Sequence, residues 1–320
     1  MKNQANRKLI SNTVFLYLMT TSIQILNLLT VPYLSRVLGP TEYGQIGLAL
    51  GYMAYVQIIL DFGFTLYATK KISENKTDKC KIEYIITAVT FIKVILAVCL
   101  GVVFLLFLYI NVFDVTLMTI LQVYLLGYLI TALLPDFYYR GMENMKSIAL
   151  RTLIVRVLFT LLIFLCVRKK EDIMFVPVCF LVGSILAFII TAADIRWKKQ
   201  ITFRWPGRKY VMSMVRSAFP YFTSRFASTF YQALNVIIIG KIYGTAPEVG
   251  YYTSSDKCLS LVKMGSSPIA DSLYPYMLNH KNYRLIKRLL GFVMPIITVG
   301  VIIIGIYAEP ICEFVFGDGC

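Results

Sequence analysis

Two stretches of this chain place polar and charged side chains, at helical spacing, within otherwise apolar sequence. Arg225, Thr229 and Gln232 recur at i, i+4, i+7, and so do Asp256, Ser260 and Lys263, with Ser267 and Asp271 following. On a helix each set forms one stripe. Arginine brings a planar fork of donors that fits phosphate or carboxylate oxygens, lysine a compact charge, and Thr, Gln and Ser neutral partners. Nine ionisable residues lie inside the apolar runs: Asp61, Lys93, Arg156, Arg216, Arg225, Asp256, Lys257, Lys263 and Asp271, six cations against three acids. Each needs an aqueous cavity, a partner or a route to an interface. The surplus of cations favours an anionic ligand.

Their plainer readings differ. Arg156 and Arg216 lie near span ends, where long basic side chains reach the interface. Asp61 and Asp271, also near span ends, read as caps or as partners to loop cations. Asp256 and Lys263 could compensate each other through Ser260, and Lys93 is divided between a pocket and the interface. Arg225 and Lys263 sit too deep for lipid exposure. The binding candidates are therefore Arg225, Lys263, Lys257 and Lys93 with Thr229, Gln232, Gln24 and Asn27. Asp256, Asp61 and Asp271 are the candidates for an ion. Catalysis has little support: the one histidine, His280, falls in a loop, and no metal-ligand, nucleophile-elbow or nucleotide-loop motif is present. No cofactor or metal is expected.

The elements that position these residues repeat. Lys241-Ile-Tyr-Gly244 matches Arg36-Val-Leu-Gly39 after a shift of 205 residues, and a Gly-Tyr pair, Gly250-Tyr251, follows the one much as Tyr43-Gly44 follows the other. In that register Thr20, Gln24 and Asn27 fall under Arg225, Thr229 and Gln232, so the first copy of the stripe is neutral and the second carries a cation.

Of the 320 residues 58% are hydrophobic and 15% charged, and mean hydropathy is +0.70; a soluble domain carries about 25% charged residues. Continuous apolar runs imply an all-α polytopic membrane protein rather than a barrel. Nine spans are expected, near 13–38, 43–69, 84–110, 117–137, 150–168, 174–194, 217–240, 249–275 and 289–308. Loops on one face sum to +15, those on the other to −3, and the spans themselves to +3. Charge thus reports topology, with a cytoplasmic N-terminus, and not nucleic-acid binding. The seven cysteines show no paired spacing, and the first span is too long for a signal peptide.

A basic segment with Pro206-Gly207 divides the chain into an N-terminal six-helix lobe (1–194), a cytoplasmic linker (195–216) and a second lobe (217–320) with three spans. An even number of spans separates the two copies, so they run in parallel about an axis along the membrane normal.

Several blocks carry a family resemblance: Val31-Pro-Tyr-Leu-Ser-Arg-Val-Leu-Gly-Pro-Thr-Glu-Tyr-Gly44, Leu60-Asp-Phe-Gly-Phe64 with Lys70-Lys71, Phe137-Tyr-Tyr-Arg-Gly-Met-Glu143, Asn235-Val-Ile-Ile-Ile-Gly-Lys241 and Val249-Gly-Tyr-Tyr-Thr-Ser-Ser-Asp-Lys257. On these the chain resembles the Wzx-type polysaccharide flippases, in the group that includes MATE exporters and lipid-II flippases. Lys70-Lys71 stands where the family leads one to expect arginine. The resemblance implies a MATE-like two-lobe fold of twelve or more spans, so three are expected to be missing at the C-terminus. It also implies a bacterial inner-membrane location and a polyprenyl-diphosphate-linked oligosaccharide as substrate, moved by alternating access. Polysaccharide polymerase and chain-length proteins are the implied partners. The rival readings are a MATE-like ion-coupled drug exporter, whose cavity should be acidic or aromatic, and a membrane glycosyltransferase or polymerase, which would leave the repeat unexplained.

Overall fold

A computed structural model describes residues 2–109, 114–244 and 247–256, with the single positions 291 and 298. The described residues are helical and contain no strand. Helix α1 (Lys2–Leu38) reverses at Gly39, whose φ of 82° suits glycine, and Pro40 opens α2 (Pro40–Asp61) at a position where its missing N–H costs nothing. Phe62 (φ 45°) and Gly63 (φ 74°) then break the path, and α3 (Phe64–Glu74) continues it. The Asp-Phe-Gly block, expected near the end of an unbroken span, is therefore an internal break. Gly63 is required twice there, by its left-handed backbone and because a Cβ would stand 2.6 Å from the backbone nitrogen of Phe222.

Helix α4 (Lys79–Tyr109) is followed by α5 (Val115–Ala132), which breaks at Leu133–Pro135 before the short α6 (Asp136–Gly141). Proline has no donor for a continuing ladder and disfavours helix at the residue before it. Helix α7 (Met145–Cys166), a 3₁₀ turn (Lys170–Met174) and α8 (Phe175–Ala193) come next, and α8 closes in a π turn (Asp194–Lys198). A non-helical stretch leads to α9 (Arg208–Tyr243), which starts within the segment read as linker. A last helical segment, α10, covers 247–256.

Five stretches among the described residues are long and apolar enough to cross a membrane: Pro40–Glu74, Lys79–Phe104, Val115–Gly141, Met145–Cys166 and Lys170–Lys198. They coincide with the expected spans two to six. Spans one and seven fall on α1 and α9, of 37 and 36 residues. Span eight begins as α10; its remainder and span nine lie outside the described residues. On α4, Phe91, Val94, Ile95, Val98 and Val102 form one exposed apolar stripe, the pattern of a helix side turned to lipid.

Two buried clusters hold the helices together. One gathers Leu38, Tyr43, Met53, Leu121, Tyr124 and Ile163 from α1, α2, α5 and α7. The other gathers Phe64, Ile72, Ile85, Phe137, Tyr139 and Ala218 from α3, α4, α6 and the start of α9. The pairs α5–α8, α1–α7, α2–α9, α2–α5, α7–α8 and α3–α6 make the main packings. Helix α9 runs antiparallel to α2: Gly63 lies at Phe222, Tyr55 at Phe230, Gly51 at Val236 and Leu48 at Gly240. Lipid is as apolar as these side chains, so close fit and polar contacts hold such pairs more than water exclusion does.

Candidate functional site

Both helix breaks open onto one polar cavity of about 290 Å³. Gln57, Asp61 and Thr65 reach it from α2 and α3, Lys93 from α4, Tyr128, Thr131 and Asp136 from α5 and α6, and Arg225 and Thr229 from α9. Breaking α5 at Ala132 strands carbonyls that a continuous helix would have used. Lys93, 5% exposed, answers one of them: its Nζ donates to the Ala132 carbonyl at 2.9 Å. A cation at a helix C-terminus also complements the helix dipole. Nζ stands 4.0 Å from Asp61 Oδ1 and 5.7 Å from the Phe137 ring centroid. The interface route considered for Lys93 is therefore not taken.

Asp61 ends α2, and its Oδ1 accepts from Thr65 Oγ1 at 2.5 Å. Its Oδ2 is buried with no hydrogen-bond partner among the described residues. Across the cavity, Asp136 accepts from Arg151 at 2.8 Å, and the other guanidinium nitrogen of Arg151 donates to Thr191 at 3.0 Å. Arg225 is an exposed residue that borders a second cavity of about 460 Å³ with Leu66, Tyr221 and Ser224.

The neutral stripe of α1 goes elsewhere. Asn27 donates to Gln24 at 3.1 Å and accepts from Arg156 of α7, whose guanidinium lies over the Phe159 ring at 5.0 Å. Arg156, expected at the membrane edge, is a part-buried partner of α1 instead. The structure thus brings together Arg225, Thr229, Lys93 and Asp61, and sets Gln24 and Asn27 in a separate α1–α7 cluster. Asp256 is exposed on α10. Gln232 belongs to α9, its side chain outside the described ones, and Lys257, Lys263 and Asp271 lie outside the described residues.

One feature went unread in the sequence although its spacing is plain. Phe222, Phe226 and Phe230 stack up α9 with ring centroids 5.7 and 5.4 Å apart, Phe62 lies parallel to Phe222 at 5.0 Å, and Tyr55 meets Phe230 at 5.8 Å. This ladder seats α9 on α2 and the Asp-Phe-Gly break, and so fixes where Arg225 and Thr229 point. The Asp136–Arg151–Thr191 set had no sequence signal, since its members sit on three elements at unrelated spacings.

A family model described as "Polysaccharide biosynthesis protein" matches residues 9–281. Two relatives carry the name "Putative O-antigen transporter". The one from Escherichia coli (strain K12) is 28% identical over 278 residues, covering 82% of this chain and 63% of its own length. The one from Shigella dysenteriae is 22% identical over 280 residues, covering 87% and 69%. The chain thus spans less than two thirds of the Escherichia coli protein. A solved structure described as the inward-facing conformation of a multidrug resistance MATE family transporter of the MOP superfamily superposes with a TM-score of 0.65 at 16% identity, over 91% of this chain and 71% of that one. That likeness gives the fold: an all-α, MATE-like membrane architecture. With the family model covering most of its length, the chain belongs to the polysaccharide biosynthesis protein family.

Proposed function

We propose that this chain belongs to a carrier that moves a polyprenyl-diphosphate-linked oligosaccharide from the cytoplasmic to the outer leaflet of a bacterial inner membrane. In this reading its N-terminus is cytoplasmic and transport proceeds by alternating access, with polysaccharide polymerase and chain-length proteins as partners. The observation that carries it is Arg225, an exposed arginine of α9 at the border of a cavity lined by amide, hydroxyl, lysine and carboxylate groups. Arg225 holds the diphosphate; Thr229, Gln57 and Thr131 serve the sugar hydroxyls. Lys93, which donates to Ala132 and stands beside Asp61, holds the wall of the cavity that Arg225 borders. Lys257, Lys263 and Gln232 are proposed as further contacts to the same substrate. Asp61, with one buried oxygen left without a hydrogen bond among the described residues, is the strongest of the three acids for a coupling ion, ahead of Asp256 and Asp271.

The drug-exporter reading gains nothing from the fold, since one architecture hosts many cargoes. The test grafts this stretch into the Escherichia coli relative over the matched region and asks for surface glycan in a host lacking its own flippase. Export that survives Arg225→Ala together with Lys263→Ala, at normal membrane levels, rejects the cationic site. Failure of the unaltered graft to export any glycan rejects the carrier reading.

A further inference from the structure

From the end of α8 into the first turn of α9 the chain carries both of its tryptophans, Trp197 and Trp205, with Phe203 and six cations: Arg196, Lys198, Lys199, Arg204, Arg208 and Lys209. A run of charge is usually just a solvated face. Three observations say otherwise here.

First, the segment is pinned in a defined path. Ile195 and Ile201 are buried, and Glu83 of α4 accepts from the Thr202 backbone at 3.0 Å and its hydroxyl at 2.9 Å. Arg204 meets the same carboxylate at 3.1 Å, and its backbone N–H donates to Thr87 at 3.0 Å. Second, that path descends α4. Residues 202–205 pass from Glu83 to Thr87 to Phe91, where the Trp205 indole meets the Phe91 ring edge-on at 4.7 Å. Eight residues of helix are about 12 Å of rise. Trp205 is thereby carried from the basic end of α4 to the head of its lipid-facing stripe of Val94, Ile95 and Val98.

Third, the apolar groups of the segment stay uncovered: Trp197 is 77% exposed, Phe203 67% and Trp205 51%. The nearby carboxylates are already engaged, Glu83 as above, and Asp194 by the Tyr139 hydroxyl at 2.7 Å and by Lys198 at 3.9 Å. What remains is a set of uncovered aromatic rings among six cations, with Trp205 at the head of the lipid-facing stripe of α4. Tryptophan favours the acyl–headgroup boundary, and juxtamembrane Lys and Arg attract anionic lipid.

We infer that this connection between α8 and α9 is a binding site for anionic phospholipid headgroups of the leaflet on the basic face. Trp205, Phe203 and Trp197 seat it in the bilayer, and Arg196, Lys198, Lys199, Arg208 and Lys209 hold the phosphates. Nothing in this depends on the cargo of the carrier.

Because Trp197 and Trp205 are the only tryptophans, tryptophan emission excited beyond the tyrosine absorption band reads this segment alone. The chain is reconstituted in symmetric phosphatidylcholine vesicles containing, at equal mole fraction, either acyl-brominated phosphatidylglycerol or acyl-brominated phosphatidylcholine. Quenching by the anionic lipid should exceed that by the neutral one about twofold. The excess should vanish at high salt and in the triple variant Arg196→Gln, Lys198→Gln, Lys199→Gln, which spares the Arg204–Glu83 anchor. Quenching by both lipids alike overturns the headgroup site. Quenching by neither means that water or another protein segment covers the tryptophans, and overturns the membrane seat as well. Trp197→Phe, leaving Trp205 as reporter, should retain most of the quenching; loss of it there overturns the depth assigned to Trp205.

Discussion

Gly44 of α2 and Gly250 of α10 meet backbone to backbone: a Cβ on Gly44 would stand 2.8 Å from the Gly250 nitrogen and 3.3 Å from its Cα. A Cβ on Gly250 would overlap the Pro40 carbonyl, and one on Gly47 would overlap Thr253. Small residues let helices in membranes approach this closely. The two glycines also sit in the two copies of the repeated loop-and-helix pattern, so the pattern returns as a contact.

That contact predicts a contrast between glycines. Gly44→Val should cost about 1–3 kcal/mol, because the neighbouring atoms are backbone and cannot turn aside. Gly101→Ala, mid-helix on α4 with nothing within 4 Å of the new Cβ, should be neutral or stabilising by up to about 1 kcal/mol. Thermal unfolding of both variants in one detergent checks it; equal midpoints would mean that the α2–α10 approach is not as close as described.

A second prediction concerns Lys93 and Asp61. Lys93→Met leaves the Ala132 carbonyl and the part-buried Asp61 carboxylate without their cation, a loss of about 2–4 kcal/mol. Lys93→Met with Asp61→Asn removes both charges and should restore part of it. The cycle is read from unfolding midpoints. A double variant no better than the single would mean that Lys93 matters only as the cap of α5.

The third prediction separates the α1 cluster from the cavity. Asn27→Ala strands the part-buried Arg156 and should destabilise by about 1–3 kcal/mol. Asn27→Ala and Arg156→Gln should be coupled by about 0.5–3 kcal/mol, while Asn27→Ala and Thr229→Ala, in different clusters, should add. Additivity in the first pair would remove the hydrogen bond from the account of how α1 is held to α7.

These residues also show what could be read from sequence. Apolar runs locate the spans because a lipid-facing helix needs no alternation, and the stripe of α4 is of that kind. The register of Arg225 and Thr229 was legible because helical spacing is local. The break at Asp61-Phe62-Gly63 was visible only as a motif, since its cause is the approach of Phe222, over 150 residues away in the chain. Arg156 was misplaced for the same reason: depth along a helix says whether an arginine can reach an interface, not whether an asparagine on another helix is waiting for it. Lys93 is the mixed case. Its burial could be suspected from hydropathy, but the carbonyl it caps exists only because α5 stops at Ala132.

The last prediction tests the proposed role of Arg225 through binding. If Arg225 holds a diphosphate in a partly wet cavity, losing its fork removes a charge-assisted contact of about 1.5–3 kcal/mol. That corresponds to a loss of affinity of roughly 10- to 150-fold. Arg225→Lys keeps the charge but not the two parallel donors and should recover only part of it. The Phe222–Phe226–Phe230 ladder flanks Arg225 on its own helix. Phe226→Leu should therefore also weaken binding, by loosening the seat of α9, while lowering the unfolding midpoint. Titration of the chain in micelles with a short-chain prenyl diphosphate, against the matching monophosphate and the free alcohol, reads these effects. Equal affinity of unaltered protein and Arg225→Ala for the diphosphate would move the headgroup away from Arg225 and leave Lys257 and Lys263 to carry it.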